Sequence, residues 1–320
     1  MLDIVMPRYN EPWETGRAYF DMLACQKGID FGKIRVILVH DGTEPFPEET
    51  FSSYPYRVEQ YRIDHAGVSA ARNYGMSLAD AEWITFCDFD DKFSSVYSLK
   101  FVFDVLGTDK FDLLWGPFFV ENKAKDGGFV LTQNDKFNLV WIHNKYYRLS
   151  FLWEHDLKFN EDLYFCEDSA FNAMVNIHIE KERIGTIKSL MPLYVWSYRD
   201  GSATTDKALT LKNMIGHFYR NKYVTEKFRE IGHEDADAMA ARTLTDTYCA
   251  ITRKDVPEGS GELEDLIRGF YREHREGLKT VDSETWRKVM KASMKEAKGC
   301  GFLNPERPVF GEWLKRIGKG

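Results

Sequence analysis

The chain has no apolar run approaching the roughly 20 residues of a membrane span, and no early run long enough for a secretory leader. Its five cysteines, at 25, 87, 166, 249 and 300, form no C-x-x-C pair. That argues against a metal cluster or a disulfide framework and makes a reducing cytoplasm the expected compartment. The eight histidines show neither H-x-x-x-H nor H-E-x-x-H spacing, so His143 and His178 are read as structural. Internal repeats and low-complexity tracts are also missing. The 320 residues suffice for one core plus an appendage.

Positive charge is scarce overall, with a net of −7, but the deficit is uneven. Residues 1–205 hold 21 Lys+Arg against 31 Asp+Glu, and residues 206–320 hold 22 against 19. The last stretch, 286–320, carries nine basic and three acidic residues. A basic end on an acidic protein suits an anionic partner: a polyanionic acceptor, nucleic acid or a membrane surface.

What stands out is Ile84-Thr85-Phe86-Cys87-Asp88-Phe89-Asp90-Asp91. A short apolar run, the signature of a buried strand, ends in three carboxylates within four positions. Carboxylates so close repel one another unless a cation sits among them. Hard oxygen ligands favour Mg2+ or Mn2+, which bind through one or two carboxylates plus substrate phosphates.

The surrounding pattern alternates strand and helix. Strands are expected over 2–6, 34–39, 56–63 and 83–87, with helices over 13–27 and 68–80 between them. A helix at 94–106, strands at 112–120 and 128–131, a turn at 125–128, and strands at 184–188 and 193–198 follow. This is an α/β chain with a doubly wound, mostly parallel sheet. In such sheets ligands bind beyond the carboxyl ends of the strands. The segments Tyr9-Asn10-Glu11, Asp41-Gly42 and Asp88–Asp91 all follow strands at that edge. Beyond residue 206 the chain reads as helices at 207–231, 234–252, 260–276 and 283–298, then a short amphipathic end around Trp313, Leu314 and Ile317. The expected division is a nucleotide-binding domain over 1–205 and a helical extension over 206–320.

Four segments, in order, resemble glycosyltransferase family 2. They are Val5-Met6-Pro7-Arg8-Tyr9-Asn10-Glu11-Pro12, Val36-Ile37-Leu38-Val39-His40-Asp41-Gly42, the run from His65-Ala66-Gly67 through Ala71-Arg72-Asn73-Tyr74-Gly75 to the Asp88–Asp91 strand end, and Phe165-Cys166-Glu167-Asp168. The resemblance covers about residues 1–205. It implies a GT-A-like core and an inverting, metal-dependent transfer of one sugar from a nucleotide-sugar, with a UDP-sugar the expected donor and Mn2+ or Mg2+ the cofactor. It also implies roles for individual residues. Pro7 and Tyr9 would pack on the base, Asp41 would accept its N–H, and Glu11 would contact the ribose. Arg72 would contact the base, close that end of the pocket, or pair with one of the acids. Asp88 would face the ribose, Asp90 would hold the metal, and Asp91 would support the metal or the donor sugar. Asp168 would be the general base, with Glu167 supporting it. Arg199, in Tyr198-Arg199-Asp200-Gly201-Ser202, and Lys145 are candidates to reach the diphosphate. The Q-x-x-R-W motif and membrane spans of processive polysaccharide synthases are absent, which favours transfer of a single sugar.

Chemistry asks for the same division of labour. A departing diphosphate needs neutralising charge, and the acceptor hydroxyl needs a carboxylate within hydrogen-bond reach. Two alternatives stand beside this reading. A sugar nucleotidyltransferase would want a glycine-rich phosphate loop after the first strand, where this chain has Pro7-Arg8-Tyr9-Asn10-Glu11-Pro12. A non-catalytic glycan- or nucleic-acid-binding protein would not need Asp168 and the strand-end acids together. The acceptor is left open among a wall polymer or other glycan, protein and a hydroxymethylated DNA base. In the 283–298 helix, Trp286, Val289, Met290 and Ser293 fall on one side and Lys288, Lys291, Lys295 and Lys298 on another, so the apolar side is expected to pack and the basic side to face outward.

Overall fold

The computed structural model describes every residue except 125, 139, 200–210, 254–259, 300, 302, 319 and 320. Residues Asp200 to Ser202 of the expected Arg-bearing loop, Lys125 of the expected turn and the start of the expected 207–231 helix therefore lie outside the described residues.

Along the chain come β1 (Leu2–Arg8), α1 (Trp13–Ala24), β2 (Ile34–Asp41), β3 (Arg57–Ile63), α2 (Val68–Ser77), β4 (Trp83–Phe86), β5 (Lys92–Phe93) and α3 (Ser98–Leu106). Then follow β6 (Leu113–Trp115), β7 (Phe118–Lys123), β8 (Phe129–Asn134), β9 (Lys145–Arg148), α4 (Leu149–Glu154), α5 (Glu167–His178), β10 (Ile184–Thr186) and β11 (Tyr194–Trp196). The remaining helices are α6 (Leu211–Glu230), α7 (Ala236–Ile251), α8 (Gly261–Thr280), α9 (Ser283–Gly299) and α10 (Phe310–Ile317). The chain divides into two compact units. One comprises Met1–Asp162 with Glu167–Asp206, the other Leu163–Cys166 with Lys207–Gly320. Among the described residues no helix is long and apolar enough to cross a membrane.

In the first unit the main sheet runs β10-β6-β9-β4-β1-β2-β3. All its pairings are parallel except those of β9, which lies antiparallel between β4 and β6. Buried residues fill β1 and β2 almost completely, as expected for strands covered on both faces. The strand order reverses around β1, with β2 on one side and β4 on the other. That crevice is where a doubly wound sheet offers a ligand site. A smaller sheet, β5-β11-β7-β8, stands beside the strand-end acids.

Two sequence expectations needed correction. The strand expected over 112–120 is two strands in different sheets, β6 and β7, broken at Gly116-Pro117. Proline has no N–H for the ladder, and a Cβ on Gly116 would lie 2.5 Å from the Asn144 amide nitrogen. The strand β9 is not anticipated at all, because four residues are too few to establish an alternating pattern.

Burial also fixes how α2 sits. Gly75 faces β1 and β2, and a Cβ there would lie 2.5 Å from Val5 Cγ1 and 3.2 Å from Val39 Cγ2. At the other end of the sheet, the wholly buried Asp3 carboxylate takes two hydrogen bonds from Arg35, at 2.6 and 2.9 Å. It also takes the backbone N–H groups of Asp80 and Ala81. That contact sets the turn from α2 into β4. Gly75→Ala should therefore destabilise the fold by the roughly 1–3 kcal/mol of an overpacked core, read as a lower urea midpoint at unchanged slope. A wild-type midpoint would mean that α2 does not approach the sheet this closely.

Candidate active site

The turn after β4 starts the site. Cys87 N–H bonds to Val5 O, which ties this segment to β1, and Asp91 N–H closes a turn onto Asp88 O at 3.3 Å. The turn aims three carboxylates in different directions. Asp91 is wholly buried and accepts from the Tyr194 hydroxyl at 2.5 Å and from Ser197 N–H at 2.9 Å. Asp90 pairs with Arg199 at 2.7 Å, and Arg199 also reaches Glu11 at 3.3 Å. Asp88 pairs with Arg72 at 2.8 Å.

Arg72 is 3% exposed and makes a second 2.8 Å bond, to Glu167 at the start of α5. Its guanidinium thus joins the strand-end acids to the Glu167-Asp168 pair. Of the roles expected for it, pairing with the acids is the one the geometry displays.

The charges push against one another. Burial, then the carboxylates of Asp88 and Asp90, drive Asp91 well above the usual carboxylate range. Burial and Asp88 raise Asp90. Burial also works against ionised Asp88, but Arg72, His143 and Arg199 more than offset it and hold that group low. Such a set would be relieved by a further cation.

One is well provided for. His143, Asp88 and Asp91 each offer a ligand atom, all within 4.8 Å of one another. His143 is 5% exposed, and its Nδ1 faces Asp91 at 3.7 Å without a hydrogen-bond partner among the described residues. Burial lowers its pKa to about 4, so it is the neutral imidazole that a metal takes. Tyr194 and Trp196 stack on it at 5.9 and 5.7 Å and fix the ring. An orphaned buried nitrogen beside two acids fits a divalent cation. His143 has a different place from the structural one expected from sequence, while Asp90 has its nearest partner in Arg199.

The second group is built on α5. Asn144 and Cys166 both adopt left-handed conformations, φ 52° and 60°, immediately before Lys145 and Glu167. Strain of this kind persists where surrounding contacts over-determine it. Asp168 accepts from Ser169 N–H at 2.7 Å. Burial and the Glu167 charge, opposed by Arg72, raise its pKa to about 7. Asn172 donates to the carbonyls of Asp168 and Trp141 and accepts from the Tyr147 hydroxyl, which pins the start of α5 to β9.

Lys145 does not extend towards the strand-end acids. It is 2% exposed, and its ammonium donates to the carbonyls of Asn138 and Trp141. Burial lowers its pKa to about 7 against the pull of Asp168. The ammonium is turned into the interior rather than presented to a diphosphate.

At the other edge of the crevice Pro7 is buried within β1, and Tyr9, 45% exposed, stacks on His65 with ring centroids 4.4 Å apart. Glu11 accepts from Tyr9 N–H. Asp41 is 3% exposed. Its oxygens accept from Ala66 N–H, Gly67 N–H and His65 Nδ1 at 2.7, 3.0 and 2.9 Å. Three residues at the candidate site were given no site role by the sequence reading: His65, His143 and Tyr194. His65 adjoins Gly67 at the head of the α2 motif, which is a signal of sorts. His143 and Tyr194 meet Asp91 only through strand pairing and leave no local pattern.

Comparison with known proteins agrees with this geometry. Residues 3–174, more than half of the chain, match the family described as Glycosyl transferase family 2. Among curated proteins, the chain is 27% identical over 226 residues to the uncharacterized glycosyltransferase EpsJ of Bacillus subtilis (strain 168), covering 64% of this chain and 63% of EpsJ. It is 26% identical over 234 residues to the minor teichoic acid biosynthesis protein GgaB of the same organism, covering 67% of this chain and 25% of GgaB. The chain thus spans under two thirds of EpsJ and a quarter of GgaB. Among solved structures, residues 1–349 of S. aureus TarS in complex with UDP superpose with TM-score 0.62 at 16% identity, over 97% of this chain and 98% of that one. The mannosyltransferase PcManGT from Pyrobaculum calidifontis, in complex with GDP-Man and Mn2+, gives 0.51 at 12% identity over 93% and 86%. At such identities the likeness concerns the fold, and the fold is GT-A. With the strand-end acids, the α2 motif and the Glu167-Asp168 pair all inside or bordering one crevice, the chain belongs to glycosyltransferase family 2.

Proposed function

We propose that the protein transfers one sugar from a UDP-sugar to an acceptor hydroxyl with inversion at the anomeric carbon, Asp168 acting as general base. The observation that carries this reading is the Arg72 bridge. It holds a donor-side acid, Asp88, and Glu167, the neighbour of Asp168 on α5, on one buried cation. Support for the donor comes from TarS, a fold neighbour that binds UDP and UDP-GlcNAc.

Asp88, Asp91 and His143 would hold a divalent cation, with Asp90 alongside. Bound there, Mn2+ or Mg2+ would supply positive charge for the diphosphate. The protein's own groups do the rest. Tyr9 offers an aromatic face at the nucleotide end. Arg199, between Glu11 and Asp90, offers a guanidinium where the diphosphate would lie. Asp168 takes the proton of the acceptor hydroxyl as its oxygen attacks the anomeric carbon from the face opposite the leaving group. An α-linked donor then gives a β-linked product.

A base must be ionised to accept that proton, and the Asp168 carboxyl sits near 7. Its ionised fraction, and therefore turnover, rises with pH through about 7 and falls below it. Asp168→Asn should lower kcat by about 10²–10⁴-fold with UDP affinity nearly intact, and the acid limb of the pH–rate profile should disappear from the residual activity. A variant within a few-fold of the parent would place the base elsewhere. For the metal, EDTA should abolish transfer, and Asp88→Asn should remove the manganese-dependent part of UDP binding in calorimetry. Full activity in EDTA would remove the cation from this reading.

Support for an acceptor class comes from the second unit. The apolar side of α9 packs inward: Ser293 and Ala297 are buried, Ser293 bonds to Thr245 of α7 at 2.7 Å, and Trp286 meets Phe310 of α10. Lys288, Lys291, Lys295 and Lys298 are exposed on the opposite side. At 1.5 Å per residue they span about 15 Å. Lys288 pairs with Glu284, while no ion pair to the other three occurs among the described residues. Such a stripe suits a polyanionic acceptor. GgaB, whose name places it in teichoic acid biosynthesis, makes an anionic wall polymer the acceptor we favour. Changing the four lysines to glutamine should weaken binding of an anionic glycan and flatten its salt dependence, leaving donor hydrolysis unchanged. For duplex DNA the slope of log K against log salt is roughly −0.9 per phosphate neutralised, and a slope of that order with DNA alone would point to nucleic acid instead. A parent that binds neither polymer, or a variant that binds equally well, would leave α9 as a solvated surface.

A further inference from the structure

The acid expected to read the base does not face outward. Asp41 is 3% exposed, and three donors from the 65–67 loop occupy its carboxylate. In front of it stands His65, whose side chain is 57% exposed. A carboxylate can only accept, so the 2.9 Å contact assigns the ring proton to Nδ1. In the neutral imidazole the other ring nitrogen, Nε2, then carries the lone pair. Among the described residues no protein group bonds to it. Tyr9 lies 4.4 Å away with its ring inclined by 23°.

We propose that His65, oriented by Asp41 and covered by Tyr9, is the residue that selects the nucleobase, and that Nε2 accepts the N3–H of uracil. This rests on the reading of the donor as a UDP-sugar and names the group that would recognise it.

The argument is one of complementary edges. A base lying roughly in the plane of the His65 ring would have its face against Tyr9 and its edge at Nε2. Uracil presents N3–H there and would complete a hydrogen bond. Cytosine presents the N3 lone pair, so two acceptors would face each other and both would be left unpaired. Discrimination of this kind arises mainly from the unsatisfied partner in the wrong complex. Asp41 is then a positioning residue: it sets the tautomer and holds the loop, as an outer carboxylate orients a histidine that ligates a metal. The 65–67 loop permits this because Gly67 takes φ 94°, a conformation open to glycine, which brings its N–H onto Asp41 just before α2 begins.

The test measures binding of UDP, CDP and N3-methyl-UDP, with manganese present, to the parent and to His65→Phe, which keeps an aromatic ring beside Tyr9 and deletes the acceptor. The parent should prefer UDP to both other ligands. His65→Phe should lose about tenfold in UDP affinity, the scale of one hydrogen bond, with CDP and N3-methyl-UDP little changed, so that the three converge. His65→Gln, which restores an acceptor on a flexible arm, should recover part of the preference. Thermal melts of both variants check that the loop still folds. Should His65→Phe fail to fold, His65→Gln against Asp41→Asn gives the same comparison: partial preference in the first and a disordered base selection in the second. A parent that favours UDP while His65→Phe keeps that preference undiminished would overturn the assignment to His65 alone. A parent that binds no nucleoside diphosphate would instead overturn the donor reading beneath it.

Discussion

Everything at the sheet edge depends on one buried cation. Arg72 enters the interior from α2 and meets Asp88 and Glu167 at 2.8 Å each. Without it, Asp88, Asp90, Asp91, Glu167 and Asp168 would form a single acidic cavity that burial alone would drive towards protonation. With it, Asp88 is held ionised while Asp168 titrates near 7. Breaking a buried pair by removing one partner typically costs about 3–5 kcal/mol, so the bridge is also a structural tie between α2, β4 and α5. The close approach of Gly75 to Val5 and Val39 lets α2 lie near enough to the sheet to deliver it.

The antiparallel strand of the main sheet, β9, supplies the rest. In a wholly parallel sheet, the residues that precede a strand lie at the edge opposite the site. Because β9 runs against β4 and β6, the segment just before it, Trp141 to Asn144, lies at the carboxyl end of β4. That brings His143 to Asp88 and Asp91, while Tyr147 within the strand anchors Asn172 of α5. A four-residue strand thus serves both halves of the site.

This explains what the sequence did and did not disclose. The parallel strands β1, β2 and β4 and the helix α2 are legible because each carries a continuous apolar run or a helical period, and the acids that follow them stand at one edge by topology alone. The roles expected of Glu167 and Asp168 came from a resemblance. His143 was hidden because its partners lie some fifty residues upstream and meet it only through the β4–β9 pairing. Lys145, a candidate from the resemblance, is a related case: only the carbonyls of Asn138 and Trp141 reveal that its ammonium is interior. Asp41 was legible as an acid at a strand end, but not as one enclosed by its neighbouring loop. Side-chain direction in loops depends on backbone conformation, such as φ at Gly67, which residue spacing does not encode.

The two arginines at the site differ in a way that separates scaffold from response. Arg72, with 4% of its side chain exposed, stays in low dielectric, and exchanging its partners would strand a charge in the interior. Arg199, with 41% of its side chain exposed, reaches solvent, while its partners Glu11 and Asp90 are only 17% and 18% exposed, so its contacts are screened on one side only. A ligand bringing negative charge into the crevice therefore meets two unequal constraints. It can draw Arg199 more readily than Arg72, because the Arg199 guanidinium already reaches solvent. It cannot draw Arg72 without uncoupling Asp88 from Glu167. Adjustment to an anionic ligand would fall on the Arg199 side, while the spacing between Asp88 and Glu167 is left to the buried bridge.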